Sequence, residues 1–216
     1  MERTPELAAG QTAHRVRFSA GERLPFGLAH KDILTLTSGR VRLGLFNDAG
    51  KLVTLDILGP GEVLGPIANL HAAVGSTWIE EAANEAVALA DGEALSYSTA
   101  AFQQLLGRSA ELLQGFCAQV DSRRRRIEAR LIRIVFKSST GKVAGLLAEL
   151  AERFGEFEPT AIRIPLRLTH KDLGSFVGVK RETVSLAMAD LEYRGIIYIK
   201  SGYVYVVDAD KLVRVH

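Results

Sequence analysis

Residues 169–195 read T-H-K-D-L-G-S-F-V-G-V-K-R-E-T-V-S-L-A-M-A-D-L-E-Y-R-G. Lys180, Arg181, Glu182 and Ser185 fall early in a segment whose apolar residues Val184, Met188 and Leu191 recur at helical spacing. An arginine can donate two parallel hydrogen bonds to guanine O6 and N7, and a glutamate can accept from cytosine N4, so the chemistry on offer is the reading of base edges. That chemistry needs a rigid element. Thr169 is a predicted cap for a helix over Lys171–Phe176, Gly178 supplies a tight turn, and a second helix from about Lys180 to Arg194 ends at Gly195. Two short helices about such a turn form a helix-turn-helix, whose second helix enters the DNA major groove by its amino-terminal end. Ile196–Lys200, Ser201-Gly202 and Tyr203–Val207 read as a β-hairpin, making the motif a winged helix, with Lys200 a phosphate candidate in the wing.

Upstream of this motif the pattern is different. From about Val16 to Leu95 the chain reads as short strands broken at Ser38-Gly39, at Asn47–Gly50 and at Gly59-Pro60-Gly61. Long helical crossovers are missing, so a sandwich or jelly roll is expected rather than a parallel sheet. Ala100–Leu106 reads as a short helix, and Ser109 to about Lys137 as one long one. Along the latter, Leu113, Cys117, Val120, Arg124, Ile127, Leu131 and Ile134 step by four and three, with Arg124 the polar exception. A seam of that period between charged flanks suits a two-stranded coiled coil, so a homodimer is expected. Ser138–Gly141 reads as a hinge, Thr140 as the cap of a helix Lys142–Phe154, Gly155–Pro159 as loop, and Ile162–Ile164 as a short strand. The expected organisation is therefore α+β, with an N-terminal jelly roll (1–108), a dimerisation helix (109–137) and a C-terminal winged helix (138–216).

Charge follows this division. The formal net charge of +2 hides 9 Lys+Arg against 13 Asp+Glu over Met1–Val120, a net of −4, and 18 against 12 over Asp121–His216, a net of +6. A basic C-terminal half suits a polyanion, here double-stranded DNA. Other classes are excluded. The single cysteine, Cys117, cannot form an intrachain disulfide or a cysteine-rich metal site. The five histidines include no H-x-H pair, which disfavours the alternative of a jelly-roll metalloenzyme, and no P-loop or G-x-S-x-G occurs. No enzyme activity and no metal is expected. The first residues lack the apolar core of a signal peptide, and no run approaches the roughly 18 apolar residues of a membrane span. A cytoplasmic protein without membrane contact is the expectation.

The string V-G-x-x-R-E-T-V-S, the wing and the long helix, together with F-S-A-G-E-R at 18–23, S-G-R-V-R-L at 38–43 and L-G-P-G-E-V-L-G at 58–65, resemble the CRP/FNR family of transcription regulators over nearly the whole chain. The resemblance implies a cyclic-nucleotide-binding-like jelly roll, a homodimer on a palindromic operator, and RNA polymerase as a further partner. It puts Arg181 and Glu182 in the major groove with Ser185 and Leu186 beside them, and Thr140, Thr169, His170, Lys171, Lys180 and Thr183 near phosphates. One position departs: Leu186 stands where the family's R-E-T-V-S-R string has its second arginine. Leucine either meets a thymine methyl or packs, so the inner base pair of each half-site should tolerate change.

The resemblance also locates a possible effector pocket at Gly65, Pro66, Ile67, Ser76, Thr77, Arg123 and Glu128. Family members that bind cyclic nucleotides carry a glutamate for the ribose and an arginine for the phosphate. This chain has Gly65-Pro66-Ile67 and Gly75-Ser76-Thr77 there, and Ile127-Glu128 where small hydroxyl residues touch adenine. Proline accepts no ribose hydrogen bond and glycine brings no cation, so no cofactor, and specifically no cAMP, is expected. An alternative is a regulator that senses a small anion such as 2-oxoglutarate, because Arg123 and Glu128 resemble that branch's spacing, although its second arginine is Thr77 here.

Overall fold

The computed structural model describes residues 13–24, 32–46, 50–65 and 83–216. The chain falls into two compact units, Met1–Arg124 and Arg125–His216. Among the described residues, no helix is long and apolar enough to cross a membrane.

In the first unit, β1 (His14–Phe18), β2 (Asp32–Leu36), β5 (Val63–Leu64) and β7 (Gly92–Ser98) form one antiparallel sheet in the order β1-β7-β2-β5. A second antiparallel sheet has β3 (Arg40–Phe46) between β4 (Leu52–Leu58) and β6 (Ala83–Ala90). Alternation along β3 buries Val41 and Leu43, which pack with Phe18, Leu34, Leu36, Leu58 and Leu64 in a shared core. The expected strands and their break at Ser38-Gly39 are present. The turn at 47–49 and the stretch Trp78–Ala82 lie outside the described residues.

Helix α1 (Thr99–Arg108) follows β7 directly, capped by the Ser98 hydroxyl, which accepts from Ala101 N at 3.2 Å. Tyr97, Phe102 and Phe116 form an edge-to-face chain with ring centroids 5.7 and 5.5 Å apart, bringing the start of α2 (Ala110–Phe136) against the strands. Gln119 accepts from Val63 N at 3.0 Å and donates to Gly61 O at 2.6 Å, while Arg123 Nη2 donates to Val63 O at 2.6 Å. Three contacts from one helix face thus fasten α2 to the β4–β5 connection.

In the second unit, the last turns of α2 lean on α3 (Ser139–Phe154). Arg130 Nη2 donates to Glu149 Oε1 at 2.7 Å, Arg133 donates to Glu149 Oε2, and the Arg130 guanidinium lies 5.0 Å over the Phe176 ring. Val143, Leu146, Leu147 and Leu150 are buried as their spacing predicts. The cap of α3 differs from expectation. It is Ser138, whose backbone is extended and whose hydroxyl accepts from Gly141 N at 3.1 Å, and Thr140 lies inside the first turn. The segment expected as loop also carries a strand. β8 (Glu156–Glu158) pairs with β9 (Ala161–Ile164), and the order of the third sheet is β10-β11-β9-β8, with β10 (Ile197–Lys200) and β11 (Tyr203–Val206) forming the wing hairpin. A short helix, α6 (Ala209–Val213), follows the wing and is capped by Asp208.

Candidate nucleic-acid interface

The helix-turn-helix consists of α4 (His170–Val177) and α5 (Arg181–Tyr193). A capping box starts α4: Asp172 N donates to Thr169 Oγ1 at 3.1 Å, and Thr169 N donates to the Asp172 carboxylate at 2.9 Å. Gly178 ends the helix with φ +72, a left-handed conformation open to glycine, and its N–H donates to Gly174 O at 2.9 Å. Gly174 is required for a different reason, since a Cβ there would lie 2.7 Å from Val179 O. Both helices then bury one face. Leu173, Phe176 and Val177 of α4 and Val184, Ala187, Met188 and Leu191 of α5 are all buried.

The core-facing residues of α5 fix which side chains turn outward. Lys180, Arg181 and Glu182 are exposed, Thr183 and Ser185 are half-buried, and Leu186 is 74% exposed. Of the two roles open to Leu186, packing is therefore not the one observed. Lys180 provides no side-chain cap, and the acidic residue in the first turn of α5 is Glu182. His170 and Ser185, assigned by resemblance to phosphate and base, meet each other: His170 Nδ1 is 2.8 Å from Ser185 Oγ. Ser185 Oγ donates to Arg181 O at 3.1 Å, so it accepts from the His170 ring and keeps one lone pair free.

Charge pairing distinguishes basic residues within this unit. Arg130, Arg133 and Arg153 converge on Glu149, Arg163 meets Glu156, Arg194 meets Asp190, and Lys211 meets Asp208. By contrast, Arg167, Lys171, Lys180, Arg181 and Lys200 are exposed and form no ion pair with any described residue. These five cations sit just before and at the start of α4, at the start of α5 and at the wing tip, the parts of a winged helix that face DNA. Arg167 is not among the residues singled out by sequence. Its structural partner is the Tyr203 ring, 5.0 Å from its guanidinium carbon, and no local spacing signals that contact.

The remaining expected residues lie elsewhere. Thr140 is half-buried in the first turn of α3. On α2, Leu113 (46%), Val120 (39%) and Leu131 (55%) are exposed, as are Cys117 and Arg124, while Ile127 and Ile134 are half-buried. The exposed apolar surface widens at the end of the helix to include Ile132, Val135 and Phe136. Of the possible effector residues, Pro66, Ile67, Ser76 and Thr77 lie outside the described residues, Gly65 follows β5, and Glu128 is exposed. Arg123, the cation that would hold an anion, has Nη2 on the Val63 carbonyl.

Comparison with known proteins agrees with this arrangement. Residues 141–215 match the Crp-like helix-turn-helix domain family. The chain is 28% identical over 179 residues to the CRP-like cAMP-activated global transcriptional regulator of Mycobacterium tuberculosis, covering 83% of this chain and 77% of that one. It is 25% identical to the cAMP-activated global transcriptional regulator Vfr of Pseudomonas aeruginosa, covering 87% and 86%. Among solved structures, FixK2 of Bradyrhizobium japonicum superposes with a TM-score of 0.74 at 17% identity, over 94% of this chain and 97% of that one, which places the whole described architecture in one fold. Both relatives are named as regulators of transcription. The chain thus carries a Crp-like helix-turn-helix domain over residues 141–215, and its jelly-roll unit, long helix and winged helix have the fold of the transcriptional regulators to which it is similar.

Proposed function

We propose that two copies of the chain bind a palindromic operator without cAMP, each placing the amino end of α5 in the major groove. The observation that carries this reading is the exposure of Lys180, Arg181 and Glu182 at the start of a helix whose opposite face is core. Arg181 donates to guanine, Glu182 accepts from cytosine, the free lone pair of Ser185 accepts from a base amino group, and Leu186 lies against a thymine methyl. Thr140, Thr169, His170, Lys171, Lys180, Thr183 and Lys200 stand at phosphates, which fix register and carry no sequence information. The exposed seam of α2, with Leu113, Val120 and Leu131 uncovered in the single chain, supports the homodimer. RNA polymerase is the further partner of such a regulator.

Two observations support an effector-independent dimer. Pro66 stands where the cyclic-nucleotide binders of the family place their ribose ligand, and Arg123 is engaged with Val63 O. Selection of bound duplexes from random DNA by the purified protein, run alone, with cAMP and with 2-oxoglutarate, tests the whole reading. The expected product is a two-fold symmetric site, recovered equally in all three arms, with relaxed choice at the pair facing Leu186. Arg181→Ala should cost about 1–3 kcal/mol and relax one base position. Specific binding that appears only with a metabolite overturns effector independence, and a product without symmetry overturns the dimer.

A further inference from the structure

Arg167 lies in the connection from β9 to α4, just before the Thr169 cap, and is exposed. Its guanidinium carbon is 5.0 Å from the centroid of the Tyr203 ring, and that of Arg163 is also 5.0 Å from the same ring. The two arginines differ in charge compensation. Arg163 is bridged to Glu156 and approaches Glu158 at 3.7 Å, whereas Arg167 pairs with no described carboxylate. Arg163 is thus a neutralised support for the ring, and Arg167 keeps its charge.

Tyr203 sits at the wing tip. It pairs with Lys200 across the Ser201-Gly202 turn, where both residues have positive φ, 53 and 79. The ring therefore links the tip of the wing to the segment that leads into α4. Arg167 precedes Lys171 by four residues in the chain, and it touches the ring of Tyr203, the residue paired with Lys200. A guanidinium lying against an aromatic ring has lost part of its conformational freedom before binding, and its N–H edge remains available to an anion. No ion pair with a described residue has to be broken when a phosphate arrives.

We propose that Arg167 is a DNA-backbone contact, positioned by Tyr203, that extends the bound surface from α4 onto the wing. The proposal rests on the DNA-binding reading above and adds to it a contact without sequence information. Affinity for the selected operator and for a scrambled duplex is measured between about 50 and 200 mM salt, the range over which phosphate contacts change binding most visibly. Arg167→Ala should weaken both duplexes by the same factor. It should also reduce the slope of log affinity against log salt by about 1 for each Arg167 that meets a phosphate. Arg167→Gln, which keeps a polar side chain beside the ring, should show the same change and guards against loss through misfolding. Tyr203→Phe should bind as wild type. Tyr203→Leu should weaken binding in the wild-type background and change nothing further in Arg167→Gln, because the ring acts through Arg167. An unchanged salt slope in both Arg167 variants overturns the contact, and a Tyr203→Leu loss that persists in Arg167→Gln overturns the positioning role. Wild-type protein that does not distinguish the selected duplex from the scrambled one overturns the DNA-binding reading itself. Wild-type specificity with an unchanged Arg167 slope overturns only this contact.

Discussion

His170 Nδ1 and Ser185 Oγ, on different helices of the DNA-binding motif, are 2.8 Å apart. The Ser185 hydroxyl also donates to Arg181 O within α5. One oxygen therefore bridges the side chain of the first residue of α4 and the backbone carbonyl of the first residue of α5.

A double-mutant cycle on this pair measures the link. A neutral hydrogen bond contributes about 0.5–1.5 kcal/mol net, so His170→Ala and Ser185→Ala should each destabilise the protein by roughly that amount. Their combination should fall short of additivity by about 1 kcal/mol in urea unfolding. Additive losses would show that the two side chains do not meet in solution.

Glu149 is the second point of convergence. It receives Arg130, Arg133 and Arg153, and its side chain is 10% exposed while that of Arg130 is 6% exposed. Removing one partner of a buried pair leaves the other charge uncompensated, at a cost of about 3–5 kcal/mol. Glu149→Ala should lower the urea midpoint of the winged-helix unit accordingly. Glu152→Ala, on an exposed neighbouring position, should leave it almost unchanged. Equal midpoints for the two variants would remove the carboxylate from the account of stability.

Acid should loosen the first strand before it reaches the core. The Arg17 hydrogen bond to Glu93, with the charges of Arg15 and Arg17 beside it, holds the Glu93 carboxyl below the ordinary carboxylate range, against a smaller opposing effect of burial. A group whose folded pKa is depressed stabilises the fold above its unfolded pKa and loses that contribution as pH falls through the folded value. Melting temperature should therefore be flat in this respect near neutrality and fall once pH drops below the ordinary glutamate range. Glu93→Gln should flatten part of that acid slope. Amide exchange along β1, which pairs with β7 from His14↔Ser96 to Phe18↔Gly92, locates the effect, and an unchanged slope in the variant counts against it.

What sequence made legible depended on whether an element has a buried face. The two helices of the DNA-binding motif read correctly because Val184, Met188 and Leu191 must all reach the core, and Gly178 must turn left-handed between them. β8 escaped because Glu156, Phe157 and Glu158 are all exposed on an edge strand, where no alternation can arise. Sequence alone puts the cap of α3 two residues late because Ser138, Ser139 and Thr140 all carry the required hydroxyl, and only backbone geometry selects Ser138. Arg167 was invisible for another reason. Its meaning comes from a ring on the wing and from the carboxylates it does not meet, and neither is written in its neighbours.

The seam of α2 makes a prediction that the single cysteine can report. Cys117 is exposed and lies between Leu113 and Val120 on the helix face expected to meet a second copy. In a parallel two-stranded coil, equivalent seam positions face each other across the axis, so the two Cys117 side chains should come within reach of one another. Mild oxidation should then give one disulfide-linked dimer band, absent in Cys117→Ser, with no higher species because no other cysteine exists. Val120→Glu places like charges opposite one another on the same seam. It should abolish the crosslink and shift the protein to monomer in sedimentation, while the helix-turn-helix, whose core is built from other residues, stays folded. A crosslink that survives Val120→Glu would mean that the copies meet through a different face of α2, and the palindromic operator would then need a different geometric origin.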